Sequence, residues 1–375
     1  MKVFIYLLHR ITEININLNS LDTYYYIYIV SFIGIFTFSF IVNKIIIVNS
    51  QSMGIKYKND TAQRWSTTAK PSLGGVSLYA SFMLSVPAYA FLMNDFSFFS
   101  SHEFWGLFVA ANLAFFMGVY DDYSCTKPML KLSVQILNGL IFILTGNGIV
   151  LFDNYIIDGI ITIIWVVAVM NSLNMLDNMD GITATVSLFI LLACATIFIL
   201  SGAGSLIWLV LIIAQMGALV GFLAYNINPS KIFMGDGGSQ FLALFVAFFG
   251  IKAIWNLPAD FHLPTWTAPF LVVAAFTPTI ADTLTVMINR RRRGVSVMLG
   301  GKDHTTHHLV YRGFSDFKVW FIFTIISAFS FLYAVQLSSL LMNGYYMLTI
   351  LGGVFFFAIF IPLYRNTLKY KAPQN

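Results

Sequence analysis

Residues 182–224 read ITATVSLFILLACATIFILSGAGSLIWLVLIIAQMGALVGFLA and contain no charged side chain. A helix that crosses the hydrocarbon of a bilayer needs about 20 consecutive, mostly apolar residues. The stretch is long enough for two such helices, which we place at 182–200 and 204–224, joined by the small residues of SGAG. This hydrophobic pair predicts an integral membrane protein.

The composition of the whole chain agrees with that prediction. Of its 375 residues, 58% are hydrophobic and 10% are charged, and the mean hydropathy is +0.79. A water-soluble protein of this length needs more polar side chains to cover its surface, so a soluble fold is excluded. We predict an all-α polytopic membrane protein, a single domain over 1–375 with about eleven spans, at 23–48, 76–93, 104–120, 132–149, 154–172, 182–200, 204–224, 241–255, 266–288, 317–341 and 345–363.

Basic residues concentrate in the loops on one side of the predicted bundle. These loops are 49–75, 121–131, 173–181, 225–240 and 289–316. Because loops rich in Lys and Arg remain in the cytoplasm, we predict that these five are cytoplasmic and that the N-terminus lies outside. Residues 1–22, whose apolar run is interrupted by His9, Arg10 and Glu13, are interpreted as an amphipathic lead-in.

Two adjacent carboxylates, Asp121 and Asp122, stand where a predicted span enters the cytoplasm, and Lys131 begins the next span. Adjacent carboxylates repel each other and can recruit a divalent cation. Aspartate pairs also occur in ordinary turns, where the side chain bonds its own backbone. The pair therefore indicates a site only in combination with its neighbours.

Polar residues recur at every third position of NSLNMLDNMDG (171–181), namely Asn171, Asn174, Asp177 and Asp180. On a helix this spacing places them loosely on one face. Oxygen ligands of this kind suit Mg²⁺, which proteins usually share with substrate phosphates. The segment is too rich in such groups for a simple helix end, so we predict a functional role.

A second polar stretch, YNINPSKIFMGDGGSQF (225–241), places Asp236 before two glycines. Glycines let a backbone approach a phosphate closely. Phe233 could stack on a base, and Asn226 lies nearby. The alternative is a glycine-rich connection that happens to contain an aspartate, but the neighbouring residues favour a nucleotide site.

The last long loop, RRRRGVSVMLGGKDHTTHHLVYRG (290–313), combines four arginines with His304, His307 and His308. Zinc would accept these histidines, but no H-E-x-x-H arrangement or cysteine partner accompanies them. Imidazole and guanidinium donors instead suit a pyrophosphate. The arginines serve equally well as determinants of topology.

Taken in order, these loops resemble those of the polyprenyl-phosphate N-acetylhexosamine-1-phosphate transferase family, which begins the lipid-linked assembly of bacterial cell-envelope glycans. The resemblance covers nearly the whole chain. The matching motifs are AKPSLGG (69–75), the aspartate pair (121–122), NSLNMLDNMDG (171–181), IFMGDGGS (232–239) and DHTTHHL (303–309).

The resemblance implies a reaction and its partners. A UDP-sugar, expected to carry N-acetylglucosamine, would donate its sugar 1-phosphate to a polyprenyl phosphate (undecaprenyl phosphate) and release UMP. The expected cofactor is Mg²⁺, with Mn²⁺ as an alternative. The expected location is the bacterial inner membrane with the active site facing the cytoplasm, a homodimer is allowed for, and no nucleic acid is expected.

Residue roles follow from the same resemblance. The implied catalytic residues are Asp121, Asp122 and Asp236, with Asp121 as the base that deprotonates the lipid phosphate. The implied metal ligands are Asp236, Asp121 and Asn174. The implied substrate-binding residues are Lys70, Lys131, Asn174, Asp177, Asp180, Asn226, Phe233, His304, His307 and His308.

Three alternatives stay open from sequence. The reaction could pass through an aspartyl intermediate. The sugar could be the muramoyl-pentapeptide, although that branch of the family usually shows three consecutive histidines where this chain separates His304 from His307. A polytopic transporter with Asp282 in an ion relay is the alternative from another class.

Overall fold

The computed structural model describes residues 18–50, 70–124, 126–296 and 300–372, with side chains from residue 25 onward. Within these ranges the chain is helical and contains no strand, which confirms the predicted all-α class. The main helices are α1 (Leu18–Asn49), α2 (Gly74–Met93), α3 (His102–Ser124), α4 (Pro128–Leu144), α5 (Tyr155–Leu176), α6 (Ile182–Ser201), α7 (Leu206–Asn226), α8 (Gly235–Gly250), α9 (Ala268–Ala275), α10 (Thr277–Arg292), α11 (Thr305–Tyr311), α12 (Asp316–Met342) and α13 (Leu351–Lys369). Short helical turns lie at Ser97–Ser100, Leu257–Asp260, Thr265–Thr267 and Tyr346–Ile350.

The described part of the chain has nine helices long and apolar enough to cross a membrane, or ten if α9 and α10 form one span. A multi-pass membrane protein is therefore confirmed, whereas the predicted count of eleven is not. Helix α4, predicted at 132–149, has 17 residues and is short for a span. Helices α9 and α10, predicted as one span at 266–288, meet at 82°. The bend lies at Phe276, and Pro278 lacks the backbone N–H that would continue a helical ladder.

Helix α8 is longer than the sequence pattern predicted. It begins at Gly235 rather than near 241, and a π-helical turn, Ile251–Trp255, extends it at the other end. Residues 235–240, predicted as part of a cytoplasmic loop, are its first turns. Asp236 therefore stands on a rigid, almost wholly buried helix rather than on a loop.

Two neighbouring helices contact α8 backbone to backbone. A Cβ added to Gly75 on α2 would lie 2.1 Å from the Gly238 Cα, and one added to Gly118 on α3 would lie 2.2 Å from the Asp236 carbonyl oxygen. Gly237 and Gly238 were expected to let the backbone approach a phosphate. They let α2 and α3 pack against the start of α8, which brings Asp121 and Asp122 on α3 beside Asp236, and the approach to a phosphate stays a prediction.

The helices alternate in direction, so α3, α5, α7 and α10 end where α4, α6 and α8 begin. We call this the basic end, because Lys70, Lys131 and the arginines of α10 lie there. At the opposite end Lys252 pairs with Glu103 at 2.8 Å. Most of the predicted lead-in (1–22) and most of the predicted loop 49–75 lie outside the described residues.

Candidate functional site

An acidic cluster forms where four helices meet at the basic end. Asp121 comes from the last turn of α3, Lys131 from the first turn of α4, Asn174 from the last turn of α5 and Asp236 from the first turn of α8. These residues are far apart in sequence, and only the packing of the helices brings them together. The structure therefore assembles the predicted aspartates, lysine and asparagine into one cluster.

Lys131 bridges two of the carboxylates. Its ammonium forms an ion pair with Asp121, and its Nζ lies 3.6 Å from an Asp236 carboxylate oxygen. Asp121 and Asp236 are also within hydrogen-bonding distance of each other. Two carboxylates that face each other require a proton or a cation between them. Lys131 supplies one positive charge, and a further cation would be attracted to the same place.

The remaining contacts hold Asp236 and Asp122 in position. The Asn174 side chain donates to the Asp236 carboxylate at 3.1 Å and to the Ser239 hydroxyl at 2.7 Å. The Asp122 carboxylate accepts from the Gly237 backbone N–H at 3.2 Å, at the N-terminus of α8. An anionic side chain is favourable there because the first N–H groups of a helix have no partner within the helix.

Three amides lie one helical turn from the acidic cluster. Asn171 belongs to the predicted polar repeat, whereas Gln135 and Gln240 were not predicted as site residues. Gln135 follows Lys131 on α4, Asn171 precedes Asn174 on α5, and Gln240 follows Asp236 on α8. The Asn171 amide donates to the Gln135 carbonyl oxygen at 2.7 Å, and the Gln135 amide lies 3.4 Å from the Gln240 carbonyl oxygen. We call these three residues the amide layer. Each lies three or four residues from a predicted site residue, and on a helix this spacing places two side chains on the same face.

A second group of predicted residues joins the loop after α5 to the loop before α8. The Lys70 Nζ lies 3.7 Å from the Asp180 carboxylate, 3.0 Å from the Ser230 hydroxyl and 5.1 Å from the centre of the Phe233 ring. Asp180 also accepts from the Ser230 backbone N–H at 3.1 Å. Lys70 and Phe233 thus form one wall beside the acidic cluster.

The Asn226 side chain connects the same two loops through hydrogen bonds. Its carbonyl oxygen accepts from the Gly181 N–H at 3.0 Å, and its amide donates to the Ile232 carbonyl at 2.8 Å. The side chain is buried. Its contacts therefore give Asn226 a positioning role, beyond the substrate contact that the resemblance implied.

The three histidines separate in the structure. His304 lines the cavity at the basic end, whereas His307 and His308 do not. Burial, with the nearby His304, lowers the pKa of His307 to about 3, so this ring is neutral at neutral pH. Burial also lowers the pKa of His308, against the opposing effect of its hydrogen bond to the Tyr370 carbonyl. Of the three, His304 is placed to meet a substrate.

Arg290 is buried beside His304, and its guanidinium donates twice to Asp303, at 2.7 and 3.0 Å. Burial raises the pKa of Asp303, but the hydrogen bonds and charge of Arg290 and Arg293 outweigh it and hold the pKa at about 2. Arg290 also lines the cavity. It is thus more than a determinant of topology.

One cavity of about 1220 Å³ is lined by the acidic cluster, Asp122, Lys70, Phe233, His304 and Arg290. Its polar part is lined by the acidic cluster, Asp177, Lys70 and His304. Its apolar part runs between α4, α5 and α10 and is lined by Leu132, Trp165, Val167, Ile280, Leu284 and Met287. We call the part of the cavity lined by the charged residues the polar chamber, and the part lined by these apolar residues the apolar arm.

The described residues contain no group of three or more His, Cys, Asp or Glu side chains arranged to hold a metal ion. The predicted ligand set of Asp121, Asp236 and Asn174 is of a different kind, with two carboxylates and one amide. Two carboxylates that face each other at a cavity, beside a third at Asp122, suit a hard cation that completes its shell with water and phosphate. The residues fit Mg²⁺ in that sense.

Comparison with known proteins gives the site its context. A family model described as Glycosyl transferase family 4 matches residues 104–254, a range that includes the acidic cluster and the amide layer. Over this range the chain is similar to glycosyl transferase family 4. The family resemblance inferred from the motifs is confirmed.

Curated proteins similar to this chain fall into two groups by name. It is 24% identical over 271 residues to a probable undecaprenyl-phosphate N-acetylglucosaminyl 1-phosphate transferase of Bacillus subtilis, covering 68% of this chain and 72% of the relative. It is 26% identical over 271 residues to a decaprenyl-phosphate N-acetylglucosaminephosphotransferase of Mycolicibacterium smegmatis, covering 65% and 66%. It is 28% identical over 206 residues to a phospho-N-acetylmuramoyl-pentapeptide-transferase of Streptococcus pneumoniae, covering 51% of this chain and 61% of the relative.

Proposed function

We propose that the protein transfers N-acetylglucosamine 1-phosphate from a UDP-sugar to a polyprenyl phosphate and releases UMP. This reaction would be the first membrane step in the synthesis of a cell-envelope polysaccharide. The observation that carries the proposal is the cavity, which is lined both by three carboxylates with Lys131 and by apolar residues of α4, α5 and α10. A nucleotide diphosphate needs the chamber, and a long isoprenoid chain needs the arm. The names of the relatives support the same chemistry.

The donor would occupy the polar chamber. Phe233 offers a ring on which a base can stack, and Lys70 beside it offers a positive charge to a phosphate. His304 and Arg290 lie on another wall of the cavity. These groups would neutralise the diphosphate, as phosphoryl transfer requires mainly positioning and charge stabilisation.

The acceptor would enter through the apolar arm with its phosphate toward the acidic cluster. Phosphate monoesters have a second pKa of about 6, so at neutral pH the attacking oxygen is largely deprotonated. The base role of Asp121 stays a prediction, and its contacts favour another role for it. Asp121 accepts from the Thr126 N–H at 2.9 Å and pairs with Lys131, so it holds the ammonium that would neutralise the acceptor phosphate.

Asp121, Asp236 and Asn174 would hold Mg²⁺. Bound there, Mg²⁺ would stabilise negative charge on the phosphate that leaves as UMP. Asn174 would keep the Asp236 carboxylate oriented toward the cavity through its 3.1 Å hydrogen bond. The basic residues at this end of the bundle support a cytoplasmic site in a bacterial inner membrane.

The test is a reconstituted reaction. Purified protein in detergent is incubated with Mg²⁺, polyprenyl phosphate and UDP-N-acetylglucosamine, and UMP and the lipid-linked sugar are measured. We expect UMP to form only when the lipid phosphate is present. If folded protein forms no UMP with any UDP-sugar, the transferase proposal is wrong.

The muramoyl-pentapeptide nucleotide is the second candidate donor, because a pneumococcal relative of that name is 28% identical over 206 residues. The two donors are separated by running them in parallel and comparing kcat/KM. The transporter alternative receives no support from the family match or the named relatives, and Asp282 contacts His304, which lines the cavity.

A further inference from the structure

Asp282 is a fully buried carboxylate on α10 that has no role in the proposed transfer reaction. It lies in the second turn of α10, after the 82° bend between α9 and α10. A buried carboxylate is costly unless every oxygen has a partner. Its partners therefore indicate its purpose.

Both oxygens of Asp282 contact the histidine loop. One accepts from the Thr305 backbone N–H at 2.8 Å and from the Thr305 hydroxyl. The other lies 2.8 Å from the Nδ1 of His304. Since a carboxylate only accepts, Nδ1 of His304 must carry a proton, and Nε2 is the ring nitrogen left for a ligand in the cavity.

We propose that Asp282 is a positioning residue that sets the tautomer of His304 and supports its imidazolium form when a diphosphate binds. With Nδ1–H held by a carboxylate, Nε2 can take up a proton and present a positively charged donor to a phosphate oxygen. The proposal rests on the proposed function, in which His304 neutralises a phosphate. It gives α10 a role in the chemistry without contact with the substrate.

A structural role is the competing explanation, since Asp282 also ties α10 to the first residue of α11. The substitution Asp282→Asn distinguishes the two. The Thr305 N–H can only donate, so the oxygen of the introduced amide would face Thr305 and its NH₂ would face His304. The Nδ1 of His304 would then have to accept, and the neutral ring would carry its proton on Nε2.

The first measurement reads the tautomer directly. Protein labelled with ¹⁵N at histidine alone is studied in detergent by long-range ¹H–¹⁵N spectra across a pH series, with the His304 signals assigned through His304→Gln. Wild-type protein should keep Nδ1 protonated throughout. Asp282→Asn should lose the Nδ1 proton once the ring is neutral, and the same tautomer in both proteins would overturn the proposal.

The second measurement is a double-mutant cycle on UMP release. Asp282→Asn should lower kcat roughly tenfold or more in the wild-type background but less than about twofold in the His304→Gln background, because it acts through that ring. Equal losses in both backgrounds would mean that Asp282 only supports the fold. Asp95→Asn is the matched control, because this carboxylate also accepts side-chain hydrogen bonds, one of them from Tyr89 at 2.8 Å, but at the opposite end of the bundle.

The two measurements separate the proposals. If wild-type protein releases no UMP with any UDP-sugar, the proposed function fails, while the histidine spectra still decide whether Asp282 sets the tautomer. If UMP forms but the tautomer and the cycle show no coupling, the transferase stands and the positioning role is wrong.

Discussion

Lys131 is the positive charge nearest to the carboxylates, and its replacement gives the sharpest test of the acidic cluster. Lys131→Gln keeps a hydrogen-bond donor but removes the charge that pairs with Asp121 and lies 3.6 Å from Asp236. At an effective dielectric constant of about 20, two unit charges at that distance attract by about 5 kcal/mol. Partial exposure of both side chains reduces this value.

The expected loss in rate follows from the transition state. A preorganised donor that stabilises developing charge contributes about 3 to 4 kcal/mol, so turnover should fall by about 10²–10³. UMP release by purified Lys131→Gln, with saturating donor and lipid phosphate, measures the loss. Lys127→Gln is the matched control, because this exposed lysine lies one turn earlier at the start of α4. If Lys131→Gln stays within about threefold of wild type, the bridge between the carboxylates is not part of catalysis.

The remaining predictions concern the carboxylates, the packing of α8 and the effect of pH. Asp236→Asn and Asp121→Asn should each reduce UMP release at least about 10³-fold while the protein still elutes as a folded species in detergent; a near-normal rate removes that residue from the mechanism. Gly75→Ala should lower the melting temperature strongly, since its Cβ would lie 2.1 Å from the α8 backbone, whereas Gly353→Ala, whose Cβ would lie 3.6 Å from a side chain, should change little. The pKa of His307 falls from 6.5 to about 3 on folding. The unfolded chain therefore binds the extra proton first, and stability should decrease by about 2 kcal/mol between pH 6.5 and 5. His307→Gln should remove that part of the slope in melting temperature against pH, and an unchanged slope would show that His307 is not the group responsible.

Much of the fold could be predicted from composition because lipid imposes a simple rule on sequence. A span must be apolar for about 20 residues, so runs such as 182–200 are visible without knowledge of any contact. The rule fails where the helix is not an ordinary span. The bend at Phe276 and the early start of α8 at Gly235 depend on neighbouring helices and turns, and polar residues in the first turns of α8 resemble a loop.

The sequence could predict which residues form the candidate site, but not how they are arranged in space. Motif order indicated which aspartates, lysines and histidines to consider, including Asp121, Lys131 and Asp236. It named His304, His307 and His308 together as substrate-binding residues, because sequence does not show which of three nearby histidines lines a cavity. Position separates them, since all three are buried but only His304 lines the cavity.

The amino-acid sequence by itself determined that the chain lies in a membrane, which end is basic, and which polar residues are too costly there to be incidental. These properties depend on local composition, which each segment carries alone. Tertiary structure decided which groups meet: glycines on α2 and α3 bring two carboxylates to Asp236, and a bend in the chain brings Asp282 to His304. Such contacts join segments distant in sequence, and helix packing rather than composition sets the distances between them.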